Sequence, residues 1–194
     1  MRRGAITMLV LGALIVGLAA PALGEPALVP SVDVERYMGL WYAIGSIPTS
    51  FERQCVQGTT AEYELLENGR IRVTNTCFDA AGKPDVAVGQ AWIPDPDEPT
   101  KLKVSFVRFL GFWWFPGAYW IIDLATDYSY AVVGHPSYRY GWILSRTPTV
   151  PEEVLGGIID RLEVQGYDIA DFRWIDQSIH LPASDDCCGT GVGS

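Results

Sequence analysis

From residue 41 to residue 146 the chain repeats one rhythm, a short run of alternating or wholly apolar character followed by turn residues. Ala61, Tyr63 and Leu65 oppose Glu62 and Glu64. After Glu67-Asn68-Gly69, a strong two-residue hairpin signal, Ile71, Val73 and Asn75 oppose Arg70, Arg72 and Thr74. Leu102, Val104 and Phe106 oppose Lys101, Lys103 and Ser105. With residues 41–47, 86–93, 118–124, 129–134 and 140–146, the pattern predicts eight short strands at regular spacing. Period-2 polarity in strands joined this closely predicts an all-β, antiparallel, up-and-down sheet, and closing it into an eight-stranded barrel removes its unpaired edges.

One helical pattern follows. Val154, Leu155, Ile158, Ile159 and Leu162 make an apolar stripe at helical spacing, with Thr149 and Glu152 in capping-box register and Gly166 as the stop. Gly156 and Gly157 weaken that helix, so packing outside the barrel must hold it. A last short strand is expected at 172–175. No repeat or second domain interrupts the plan.

Arg2 and Arg3 precede an apolar stretch ending near Ala20, and Ala22 and Gly24 occupy small-residue positions before Glu25. This predicts an export signal over 1–24, a barrel domain over 25–181 and a flexible tail over 182–194. The net charge of −9 becomes more negative once Arg2 and Arg3 are removed, which argues against nucleic acid as a partner. Four cysteines in an exported chain permit disulfides. Cys55 and Cys77 lie inside the patterned region and are expected to pair. Cys187 and Cys188, in the Gly/Ser/Asp tail, could be free, joined to each other or bridged to a partner.

Alternation in a closed barrel sends Tyr63, Val73, Val104, Phe106, Trp120, Ile122, Trp142 and Leu144 inward, with Asn75 and Tyr140 as polar members. Greasy walls with a few orienting polar atoms are the character of a small-molecule site. Such an interior suits a fatty acid or lysophospholipid, held without a cofactor or metal.

Three motifs in order carry a family resemblance. Gly39-Leu40-Trp41-Tyr42 follows a short helical segment, Thr126-Asp127-Tyr128 falls between the sixth and seventh strands, and Arg146 ends the eighth. Together with Phe51-Glu52-Arg53 and the segment Trp142-Ile143-Leu144-Ser145-Arg146, these phrases resemble the lipocalin family, in particular bacterial lipocalins of the outer-membrane lipoprotein type and apolipoprotein D, over residues 32–177. The resemblance implies a tryptophan at Trp41 closing the barrel base under Arg146. It also implies a non-catalytic role: carriage or storage of an apolar ligand in support of membrane lipid maintenance. No cysteine precedes Cys55, so the chain is expected to be periplasmic or secreted, and soluble after signal cleavage.

Lipocalin topology places the loop at 107–117 on the barrel rim, where Phe109, Leu110, Phe112, Trp113, Trp114 and Phe115 cluster. Its apolar groups are expected to gate the pocket and touch a membrane or a second copy of the chain; folding inward as a plug is the alternative. Arg108 and Arg139 stand near the same rim as candidates for attracting a carboxylate or phosphate. An enzymatic alternative rests on Cys77 as a pocket nucleophile, and a haem or bilin pigment is a further ligand class, with His135 as its axial candidate.

Overall fold

The computed structural model describes residues 24–182. The expected export signal up to residue 23, and the expected tail with Cys187 and Cys188, lie outside the described residues. Asp33 caps a one-turn helix, α1 (Val34–Tyr37), by accepting from the Arg36 amide at 3.1 Å. The barrel strands follow: β1 (Gly39–Ser46), β2 (Gln57–Leu65), β3 (Ile71–Phe78), β4 (Pro84–Trp92) and β5 (Lys101–Ser105). A small hairpin of β6 (Val107–Phe109) and β7 (Phe112–Trp114) intervenes before β8 (Gly117–Leu124), β9 (Tyr130–Gly134) and β10 (Gly141–Ser145). Helix α2 (Glu152–Gln165) and a short β11 (Arg173–Trp174) complete the described fold.

All neighbours in the main sheet pair antiparallel, in the order β10-β9-β8-β5-β4-β3-β2-β1-β11, and β10 also pairs with β1. That last ladder closes the eight predicted strands into a barrel, with β11 added outside β1. The expected turn at Asn68-Gly69 forms, with the Leu66 amide donating to the Arg70 carbonyl at 2.7 Å.

Two apolar clusters lie on opposite sides of the barrel wall. The interior cluster holds Trp41, Ala43, Tyr63, Ile71, Val73, Ala91, Leu102, Tyr119, Ile121, Val133 and Leu144. The outer one joins Ile122, Val132 and Ile143 to Ile158 and Leu162 of α2. This corrects the expectation for Trp120 and Ile122: both belong to the outer cluster beneath the helix. Strand β8 is apolar on both faces because α2 covers its back, so alternation alone does not reveal the inward set. Tyr119 and Ile121 take the inward places instead, and a bulge after Ile121 turns Asp123 outward, where it accepts from Arg161 of α2 at 2.7 Å.

The helix departs from expectation at its start. Pro151 occupies the cap position without a side-chain cap bond, and the Thr149 carbonyl instead accepts from the Thr147 hydroxyl at 2.7 Å. No capping box forms. Of the predicted stripe, Ile158 and Leu162 are buried, Leu155 is half-buried, and Val154 is exposed. Gly166 ends the helix in a left-handed conformation, as its position suggested.

Candidate functional site

The closed end of the barrel is built by the three motifs together. Trp41, wholly buried, donates its indole N–H to the Tyr37 carbonyl at 2.8 Å. Arg146 lies across the Trp41 ring at 3.7 Å and donates to the carbonyls of Leu40, at 2.9 Å, and Arg36, at 2.7 Å. Arg36 in turn stacks on Tyr128, whose hydroxyl accepts from the Asp33 amide at 2.8 Å. The turn after β8, the end of β10 and α1 are thereby latched to one another across the barrel floor.

Above that floor three phenols meet. The Tyr119 hydroxyl lies 2.8 Å from that of Tyr37 and 2.9 Å from that of Tyr63, so each finds a partner in the apolar interior. Burial pushes Tyr63 up to about 12 and holds Tyr37 and Tyr119 well above the ordinary tyrosine range, so all three stay neutral.

Burial then falls on part of the wall, although Cys77 at the far end of β3 and the mouth ends of β1, β9 and β10 stay buried. Along β3 the inward series runs from buried Ile71 and Val73 to half-buried Asn75; along β5 it runs from buried Leu102 through half-buried Val104 to Phe106, which is 38% exposed. Phe106 points inward: a Cβ on Gly89 would lie 2.7 Å from the Phe106 ring, and Gly89 pairs with inward Val73. On the far wall Trp142 is half-buried above Leu144, and Tyr140 stacks on Trp142 with ring centres 6.3 Å apart. The inward rows are thus fully buried at the floor, and Asn75, Val104 and Trp142 are only half-buried further up.

One polar atom in the barrel wall is unmatched. The Asn75 side-chain oxygen is buried without a hydrogen-bond partner. Cys77, two residues further along β3, is bonded to Cys55, tying that strand to the loop between β1 and β2. His135 sits on the rim, where its Nδ1 accepts from the Ser137 amide at 3.1 Å, and burial lowers its pKa. Among the described residues no cluster of His, Cys, Asp or Glu could hold a metal ion.

Tyr63, Val73, Val104, Trp142 and Leu144 share the interior cluster, Asn75 follows Val73 on the same strand face, Phe106 lies against Gly89 and Tyr140 stacks on Trp142, whereas Trp120 and Ile122 belong to the outer cluster. Sequence reasoning missed Tyr37, Tyr119 and Ile121. A strand apolar on both faces was the available signal, because the face not covered by a helix must be the interior one.

The aromatic segment expected over the mouth is instead the β6–β7 hairpin. Leu110 and Gly111, with φ of 50° and 83°, form a tight two-residue turn between paired Phe109 and Phe112. The Ser105 hydroxyl donates to the Trp114 carbonyl and pins the hairpin at its root. The paired residues Arg108 and Trp113 face the outer surface of β3 and β4, leaving a cleft of about 280 Å³ that is lined also by Arg72, Val88 and Gln90. Phe109, Leu110, Phe112 and Phe115 are exposed, Phe115 to 83%.

The comparisons with known proteins agree with this architecture. The Lipocalin-like domain model matches residues 32–177. Mouse (Mus musculus) apolipoprotein D is 35% identical over 191 residues, covering 89% of this chain and 96% of that protein. The outer membrane lipoprotein Blc of Escherichia coli K12 is 34% identical over 151 residues, covering 77% of this chain and 82% of that protein. Among solved structures, insecticyanin from the tobacco hornworm Manduca sexta superposes with a TM-score of 0.61 at 22% identity, over 81% of this chain and 86% of that one. With its closed eight-stranded barrel, its motif-built floor and these relatives, the chain belongs to the lipocalin family.

Proposed function

We propose that this protein is an exported carrier that holds one fatty acid or lysophospholipid in its barrel, acyl chain down and polar end at the rim. The observation that carries this reading is the partial exposure of Asn75, Val104, Phe106 and Trp142 on the same inward face as buried Ile71, Val73 and Leu102. An acyl chain would gain roughly 25 cal/mol per Å² of apolar surface buried, before the costs of association. The unmatched Asn75 oxygen supports a donor-bearing group at that depth, such as a ligand hydroxyl or a protonated carboxyl. Tyr140 is a second orienting group. Export fits a chain with a disulfide, and lipid maintenance at a membrane fits relatives named as an outer membrane lipoprotein and an apolipoprotein. The exposed aromatic hairpin is the surface through which the carrier meets a membrane or a second copy of itself.

A catalytic role through Cys77 has no support in the oxidised protein, because its sulfur is bonded to Cys55 and is not a free thiol. Titrating the delipidated protein with palmitate and with lysophosphatidylcholine, while following tryptophan fluorescence, tests the proposal. Saturation near one ligand per barrel is expected, with Asn75→Leu weakening one of the two ligands about tenfold through the lost polar contact. Absence of a saturable response to either ligand would reject the lipid reading and turn attention to a pigment.

A further inference from the structure

The outer wall beneath the hairpin carries an arrangement that the carrier function does not use. Arg72, Gln90 and Ser105 are in register across β3, β4 and β5, and Trp92 is in register with Lys103 one step away. The hairpin lays Arg108 and Trp113 over this row. A second cleft, of about 430 Å³, continues from the first and is lined by Arg70, Trp92 and Phe112 as well as Arg108 and Trp113. Three guanidiniums thus converge on one groove in a chain of net charge −9.

Two of the three are without a carboxylate. Arg72 pairs with Glu64 at 2.6 Å, whereas Arg70 and Arg108 make no ion pair among the described residues. Each instead lies by an indole, Arg70 at 4.9 Å from the Trp92 ring and Arg108 at 5.8 Å from the Trp113 ring. An arginine held over an aromatic ring keeps its in-plane N–H fork free for a phosphate or carboxylate. Away from the groove, Val107, Phe109 and Trp114 of the same hairpin form an exposed apolar surface, and Phe112 at its tip is exposed as well.

We propose that the hairpin and this groove form a docking surface for an anionic phospholipid bilayer: the apolar face and tip enter the interfacial region, and Arg70, Arg72 and Arg108 take lipid phosphates at its edge. The inference rests on the membrane contact proposed above and adds a headgroup preference to it. Charge complementarity selects the occupant. The net negative chain is repelled by an anionic surface at long range, but screening over about 10 Å at ordinary salt leaves a local basic groove to decide the contact. A bilayer presents a dense array of phosphates beside an apolar layer, matching a groove with two unpaired guanidiniums next to an exposed apolar hairpin.

Vesicle co-flotation of the full mature protein provides the test. One set of vesicles is pure phosphatidylcholine; in the other a quarter of the lipid is phosphatidylglycerol. Tighter, salt-sensitive binding to the anionic set is expected, with R70Q/R108Q losing about tenfold or more on that set only. E64Q, which releases Arg72 from its ion pair, should tighten anionic binding, and L110S/F112S should weaken binding to both sets. If R70Q/R108Q keeps the anionic preference, the groove is not a headgroup site although the membrane contact stands. If the unmodified protein binds neither set, or sediments as a hairpin-dependent dimer that ignores vesicles, both readings are overturned.

Discussion

The two ends of the barrel are held by different means. At the floor, every strong contact is non-covalent and mutual: Trp41 under Arg146, Arg36 on Tyr128, and the three phenols of Tyr37, Tyr63 and Tyr119 closed on one another. At the rim, the Cys55–Cys77 bond ties the loop after β1 to β3, while Asn75 keeps an unmatched oxygen and Phe106 stays partly exposed. The difference teaches where selection for stability and for binding can act separately. A floor whose buried phenols are all paired fixes the fold, whereas a rim that is tied by a disulfide yet keeps an unmatched oxygen and an exposed ring is where the proposed guest would be met.

The largest effect should come from the floor. Trp41→Ala removes a wholly buried indole and the surface on which Arg146 lies, and should cost about 3–5 kcal/mol, read as a lower midpoint in urea unfolding. Replacing Cys55 and Cys77 by alanine frees a loop with a sequence separation of 22 and should cost about 3 kcal/mol on the chain-entropy view. The two variants ought to differ in how the cost appears. Hydrogen exchange should speed throughout the barrel in the first, and chiefly around the mouth strands in the second. Equal loss of protection at floor and rim in the cysteine variant would break the comparison.

Much of this division was readable from the chain, for a physical reason. Strands β2, β3 and β5 have one solvated face, so Tyr63, Val73 and Val104 announce their side by alternation with Glu, Arg and Lys. Trp120 and Ile122 could not be placed that way, since the apolar outer face of β8 becomes meaningful only once α2 is docked on it. The hairpin was hidden by Leu110, a residue rarely found at positive φ, which made a tight turn there hard to anticipate. Tyr37 lies outside the strands in α1, so period-2 reasoning had no way to aim it at Tyr119.

Tyr119→Phe sharpens the floor half of the comparison. It strips the shared partner from the Tyr37 and Tyr63 hydroxyls and should cost about 1–3 kcal/mol, with ligand affinity at the rim unchanged. The phenols also set a pH signature. Tyr63 has its folded pKa raised from 10.0 to about 12, so the folded form holds a proton that the unfolded form releases between those values. Its contribution is whole below pH 10 and is lost as pH climbs toward 12. Tyrosinate absorbance should therefore rise in two stages, with the trio ionising only as the barrel unfolds.

His135 gives the smallest effect, and its sign is opposite in direction along the pH axis. Burial lowers its pKa from 6.5, and its Nδ1 accepts from the Ser137 amide, a bond available only while that nitrogen carries no proton. The unfolded chain consequently binds a proton before the folded one does as pH falls. Stability from this residue is complete above the ordinary histidine range and declines on acidification below pH 6.5. Because His135 stands on the rim beside Tyr140, that decline should loosen the mouth while leaving the floor intact. Nuclear magnetic resonance titration should show the His135–Tyr140 loop shifting at mildly acidic pH with Trp41 undisturbed. A simultaneous response at Trp41 would mean that the two ends are coupled, and that the floor does not act as an independent foundation.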